Sequence, residues 1–368
     1  MDSFLSEARS LTKVFLFKGK IVSVSPYGNG HINKTYLVAA DERYILQRLN
    51  PEVFLHSKET MGNLIAITAY LGQAITRERQ KGHPVKQEPM SLVKTLKDEL
   101  SYTDEKGAYW RAFRLREESE TFEEPLTNAD LFSSGKAFGE FLYLLRDYPS
   151  ETLYETIPHF HDTPARYAHF LAAVKDNPKK RNADCVKEIA YLERFASFYP
   201  LLVDALFKGE IPCRVTHNDT KFNNLLFDHP SHEVVSVLDL DTVMEGTPLY
   251  DFGDACRSSC NEAEEGERDL RRVSFSLTKF RAFSQGYLSG SHGILNARER
   301  KLLASSVLLL TLELALRFLE DYLRGDVYFA IQEKDDNLVR ARSQIALAQD
   351  IERKKDEMEA IIREVNLR

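Results

Sequence analysis

The period of the apolar residues changes near Glu118, and that change constrains the chain more than any single motif. From Gly19 to Asn50, "GKIVSVSPYGNGHINKTYLVAADERYILQRLN" sets β-branched and aromatic runs between turn residues. It predicts a strand ending near Tyr27, a loop, a strand to Val38, a turn at Asp41 and Glu42, and a third strand from Arg43. A helix is expected from Ser57 to about Thr76, with Ser57 as its cap and Met61, Leu64, Ile65 and Thr68 on one face. "MSLVKTL" and "GAYWRAFRL" add two strand candidates, with Trp110 in the core. From Asn128 onward helical patterns dominate, from "ADLFSSGKAFGEFLYLLRDY" to a last, mixed-charge helix from about Leu338 that should cover the surface. The one clear strand pair of this half is "NLLFD" with "EVVSVLD". The expectation is an α+β chain: a small sheet-rich lobe over residues 1–118, a larger helical lobe over 119–368, and a hinge within Phe113 to Glu124.

Bulk properties exclude several functions. A chain of 368 residues, 43% hydrophobic, is long enough for two domains with a large core. A net charge of -7 argues against a nucleic-acid partner, which needs a basic face. Cys185, Cys213, Cys256 and Cys260 are too scattered for a disulfide framework and fit free thiols in a reducing cytosol. The opening "MDSFLSEARSLTKVF" lacks the apolar region of a signal peptide. The most apolar run, Ser305 to Leu319, is interrupted by Glu313 and Arg317 and reads as a buried helix, not a membrane span. A cytoplasmic protein with no membrane or nucleic-acid partner is expected.

"VTHNDTKFNNLLFD", Val215 to Asp228, concentrates polar side chains in front of an apolar strand. If Leu225 to Phe227 pairs antiparallel with Ser236 to Leu238, Asn224 lies opposite Asp239, with Cα atoms about 4.5–5.5 Å apart. An amide and a carboxylate held so can share one Mg²⁺, whose oxygen ligands lie at about 2.0–2.1 Å. Asp219, on the loop entering the hairpin, is placed to accept a proton from a hydroxyl during phosphoryl transfer. Asp241, two along from Asp239, either assists the metal or is solvated. Asp251 in "PLYDFGD" lies well past the strand end and is expected to tether the loop carrying His217 and Asp219. Gly28, Asn29 and Gly30 sit in a loop between strands that is either a plain hairpin turn or a cover for phosphate groups. His159 and His161 are spaced like metal ligands but lack a third, which favours capping or a sugar contact.

The spacing His217, Asp219, Asn224 matches the HxDxxxxN catalytic loop of protein kinases and kinase-like phosphotransferases. With "YGNGHINKTYLV", "RYILQRLN", "IPHFHDTP", "RVTHNDTKFNNLL", "LDLDTVMEG", "DFGDACR", "RFLEDYLRGDVYF" and "NLVRARSQI", the chain resembles the aminoglycoside phosphotransferase and choline kinase family from about Val24 to about Gln349. Within it the segments resemble a narrower group, the N-acetylhexosamine 1-kinases. The resemblance implies a bilobal protein-kinase-like fold and transfer of the ATP γ-phosphate, with Mg²⁺, to the anomeric hydroxyl of an amino-sugar substrate, N-acetylglucosamine or N-acetylgalactosamine. It makes Asp219 the base, Asn224 and Asp239 metal ligands, and His31 and Arg317 candidates near the sugar; Arg257 lies in another matching segment. For Arg317 the plain alternative is an arginine lying over its own helix. One position departs from the wider pattern: Gln47 stands where the third strand ordinarily supplies a cation, and Arg48 is the neighbouring cation. Adjacent strand residues face opposite ways, so both cannot serve. A kinase of another small alcohol (a different sugar, choline or an aminoglycoside) is the nearest alternative, and an inactive binding module a more distant one.

Overall fold

The computed structural model describes residues 4–28, 33–51, 53–229 and 231–365. The chain forms two compact units, the first built from Met1–Thr121, Glu151–Ile157 and Leu225–Val243, the second from Phe122–Ser150, Pro158–Asn224 and Met244–Arg368.

In the first unit β1 (Ser23–Pro26), β2 (Lys34–Ala39) and β3 (Arg43–Arg48) form the expected antiparallel meander. Of the two predicted runs, the first yields only β4 (Ser91–Leu92) and the second β6 (Tyr109–Arg114), beside β3; β5 (Tyr102–Thr103), not expected from the sequence, and β4 both pair with β6. Alternation divides the sheet into two chemistries. Tyr36, Val38, Tyr44, Leu46, Trp110 and Ala112 bury one face with α1 (Leu5–Leu11), each large side chain contributing about 1.5–3 kcal/mol. The indole N–H of Trp110 donates to Asp104 at 2.8 Å. The other face carries Gln47 and Arg111, directly opposed in the β3–β6 ladder. Next to them is Met61 of α2 (Ser57–Gln80), whose buried stripe runs Met61, Leu64, Ile67, Leu71, Ile75. His56, not Ser57, is the N-cap of α2; the Ser57 hydroxyl donates back to the Phe54 carbonyl at 3.0 Å.

The hairpin expected in the helical half clusters with this first unit. β7 (Ser119–Glu120) pairs with β9 (Leu225–Asp228), and the Glu88 N–H donates to Val235 of β10 (Val234–Val237) at 2.8 Å. Its register also differs by one residue: Leu225 faces Val237 and Leu226 faces Ser236, with an irregularity between Ser236 and Val234. Next to the turn Phe227 faces Val234, two residues from the expected pairing, and the irregularity returns one of them. Asn224 and Asp239 are therefore not a ladder pair. Asn224 ends a 3-10 turn, Phe222–Asn224, and Asp239 lies past the strand in the left-handed region at φ 53°.

The second unit is helical apart from β8 (Arg214–Thr216) and its antiparallel partner β11 (Met244–Gly246). Its helices are α3 (Asn128–Leu144), α4 (Thr163–Asp176), α5 (Val186–Glu193), α6 (Leu201–Phe207), α7 (Pro248–Ser259), α8 (Leu277–Gly290), α9 (Ala297–Arg324) and α10 (Asp336–Val365). α5 and α6 are separated ahead of Pro200, which disfavours helix in the residue before it. α9 opens with a capping box, Asn296 with Glu299, and closes on Gly325 at φ 104°. It is long and apolar enough to cross a membrane, yet 83% of its apolar window is buried inside the protein, which makes it a core helix. α10 is more than a surface cover, since Leu347, Ala348, Ile351 and Met358 are fully buried.

Candidate active site

β8 delivers the chain into a loop at His217 whose backbone is held from below by α7. Asp251, in the first turn of α7, accepts the N–H of His217 at 2.9 Å and that of Asn218 at 2.7 Å. The Thr220 hydroxyl donates to the Asp251 carbonyl at 2.6 Å. Three bonds from one residue fix a loop in which Asn218 sits at φ 66°, a left-handed position that an unsupported non-glycine residue rarely keeps. Burial pushes the Asp251 carboxyl up to about 6, against the pull of the two N–H bonds it accepts.

Asp219 follows directly. Its carboxylate accepts the amide N–H of Asn224 at 3.0 Å and lies 2.9 Å from the Lys221 ammonium; the same Asn224 amide also donates to the Asp219 carbonyl at 2.8 Å. Burial raises the Asp219 carboxyl, but the charge and hydrogen bond of Lys221, with help from the Asn224 amide, bring it below the ordinary value. Lys221 is raised in turn, chiefly by Asp219. The result is an ionised carboxylate beside a fixed cation. Because Asn224 turns its nitrogen to Asp219, its amide oxygen is the atom left for another partner.

Elsewhere the structure redistributes the expected residues. Both carboxylate oxygens of Asp241 are engaged: Arg111 forms a two-pronged ion pair with it, the Nη2 to Oδ2 arm at 2.8 Å, and Asn33 donates at 2.8 Å. Arg111 and Asp241 are each 1% exposed, and Gln47 accepts from Arg111 at 2.9 and 3.0 Å. Asp241 is thus a buried ion-pair partner of Arg111. Arg48 lies over the Phe4 ring at 4.6 Å, the Tyr44 and Leu46 side of β3, away from Gln47. The cation beside Gln47 is Arg111, one strand over on β6. Gly28 is exposed at φ 73°; Asn29, Gly30 and His31 fall outside the described residues.

Arg257 on α7 is buried, with Asp254 at 2.9 Å and Glu265 at 3.3 Å, and lines a cavity of about 160 Å³ together with Lys221, Asn223, Ser258 and Gln344. Arg317 belongs to a different group of neighbours, its guanidinium over the rings of Phe160, Tyr328 and Phe329 at 5.4 to 5.8 Å. His159 lies 3.2 Å from Asp162, which caps α4 by accepting the Ala165 N–H. His161 is buried against Glu313. Sequence reasoning missed Lys221, although it stands two residues from Asp219, and Arg111, a cation in the middle of the strand "YWRAFR".

Solved structures share this architecture. A microcompartment-associated aminopropanol kinase is 17% identical, with 96% of this chain and 98% of that chain covered and a TM-score of 0.58. An aminoglycoside phosphotransferase from Alicyclobacillus acidocaldarius is 14% identical over 94% and 95%, with a TM-score of 0.56. An amicoumacin kinase solved with AMP-PNP and Ca²⁺ is 11% identical over 94% and 93%, with a TM-score of 0.60. These likenesses show a kinase-like α+β fold, sheet-rich in its N-terminal region and helical in its C-terminal region. The profile of the Phosphotransferase enzyme family matches residues 23–283, and the chain belongs to that family. Phosphoryl transfer is the chemistry that membership brings.

Proposed function

We propose that this chain is an ATP- and Mg²⁺-dependent kinase of the cytoplasm that phosphorylates the anomeric hydroxyl of N-acetylhexosamines, with Asp219 as the base. The observation that carries the reaction type is the environment of Asp219: a carboxylate kept ionised by Lys221 and aimed by Asn224, on a loop pinned by Asp251. The acceptor hydroxyl donates to Asp219, its oxygen bonds to the γ-phosphorus, the bond from that phosphorus to the bridging oxygen breaks, and ADP leaves while the proton passes to Asp219. In such a loose transition state most of the acceleration comes from positioning and charge neutralisation, which Lys221 supplies beside the base. The Asn224 amide oxygen and the Asp239 carboxylate are hard oxygen donors of the kind Mg²⁺ takes. The ion would add charge neutralisation at the phosphates. The amicoumacin kinase bound to AMP-PNP and Ca²⁺ supports a nucleotide and a divalent cation.

The finer acceptor rests on the eight matching sequence segments. A second reading, an amine-bearing alcohol, is favoured by one feature: Glu123, Glu124, Glu264 and Glu265 line the cavity next to Lys221. ADP release measured across N-acetylglucosamine, N-acetylgalactosamine, aminopropanol and spectinomycin separates the two. Asp219→Asn should lower sugar 1-phosphate formation by about 10²–10⁴-fold while nucleotide binding persists. Wild-type turnover in that variant would remove Asp219 from the base role, and ADP release with the amines alone would remove the amino sugar.

A further inference from the structure

The peptide unit that precedes Asp219 is gripped at both ends by histidines. Its carbonyl, Asn218 O, lies 3.3 Å from His161 Nε2, and its N–H, that of Asp219, donates to His217 Nδ1 at 3.3 Å. The other ring nitrogen of His161 lies 2.8 Å from Glu313 Oε1. A carbonyl and a carboxylate only accept, so both nitrogens of His161 must donate, and the ring is an imidazolium. His217 must accept at Nδ1, so it is the neutral Nε2–H tautomer. The residue is fully buried, with the rings of Phe138 and Phe141 at 5.9 and 5.8 Å.

We propose that His161 and His217 are positioning residues that clamp the Asn218–Asp219 peptide in opposite protonation states, charged and neutral, and thereby aim the base. The proposal rests on the reading of Asp219 as base. A carboxylate swings with the peptide plane that carries it, and a displacement of about 1 Å costs on the order of 10²-fold in rate. Both contacts are long for hydrogen bonds, the state in which catalytic contacts stand before substrate tightens them. Glu313 is itself held ionised: burial raises it, but the charge and hydrogen bond of His161, the hydroxyl of Thr163 at 2.5 Å and the charge of Arg317 bring it below the ordinary value. The other titratable groups facing the clamp are Asp251 and Tyr250 from α7, Arg166 from α4 and Asp162 beside His161.

The direct test is two-bond ¹H–¹⁵N imidazole spectroscopy of the full chain at pH 7.5, with signals identified by single histidine variants. Two protonated nitrogens are expected for His161 and one, Nε2, for His217. A neutral His161 or a proton on His217 Nδ1 overturns the clamp. Kinetics gives a second reading that avoids a buried unpaired Glu313. His161→Leu with Glu313→Gln should lower kcat by about 10–100-fold with KM for nucleotide changed by less than about threefold. His161→Gln with Glu313→Gln restores a donor to the Asn218 carbonyl and should recover most of that loss. Wild-type kcat in the leucine variant overturns the proposal. An inactive Asp219→Asn together with a neutral His161 condemns the clamp alone; an active Asp219→Asn condemns the base reading on which it rests.

Discussion

Asp251 shows how a single side chain can hold a loop at a cost that depends on pH. Its carboxyl is pushed up from 3.8 to about 6, mainly by burial, so the fold favours the protonated form. That contribution is fully present below the unfolded value and is lost as pH rises through about 6, above which burying the ionised group costs about 3 kcal/mol. The stability of the wild type relative to Asp251→Asn should therefore fall by about 2.4 kcal/mol between pH 4 and pH 7. Urea unfolding over a pH series measures it, and a difference that stays flat would refute the assignment. The loss of one N–H acceptor in the asparagine variant does not vary with pH and drops out of the slope. His217, Asp219 and Asn224 were legible from spacing alone because they share one short loop. Arg111 was not, because its meaning depends on which residue β3 sets opposite it.

Helices α3 and α8 meet backbone to backbone. Gly135 and Gly139 of α3, and Gly286 and Gly290 of α8, are placed so that a Cβ on any of them would overlap main-chain atoms of the other helix, Gly286 against the Phe132 carbonyl for example. This contact sets α3, and with it Phe138 and Phe141 against the ring of His217. Gly286→Ala should cost about 3 kcal/mol or more, since backbone cannot step aside as a flexible side chain does. Gly266→Ala, where a Cβ meets nothing within 4 Å, should stay within about 0.5 kcal/mol of wild type in the same denaturation assay. Equal losses at the two sites would refute the close-approach account. The helical periods of both segments were readable in the sequence. That their glycines face each other was not, because periodicity assigns a face and not a partner.

At the scale of the molecule, the first unit is assembled from three stretches of chain, and its most deeply buried ion pair joins two of them. Arg111 comes from the first stretch and Asp241 from the third. Leaving one member of such a pair without the other costs about 3–5 kcal/mol, a large part of a domain's net stability of about 5–15 kcal/mol. Residues 1–121 expressed alone would also leave β7 without its partner β9. This fragment should show no cooperative unfolding transition by circular dichroism, even though it contains the whole of the larger sheet. A fragment that unfolds cooperatively would show that the hairpin is dispensable.

The sequence by itself determined the elements, the change from sheet to helix, and the loop from His217 to Asn224, because these depend on periodicity and spacing between near neighbours. Tertiary structure decided the rest. It moved the β9–β10 hairpin to the first unit, closed that hairpin more tightly than a simple count allows, paired Asp241 with Arg111, and set that arginine on β6 opposite Gln47. Each of these turns on which residues, far apart in the chain, share a buried space where a charge must find its partner, and no local pattern encodes that choice.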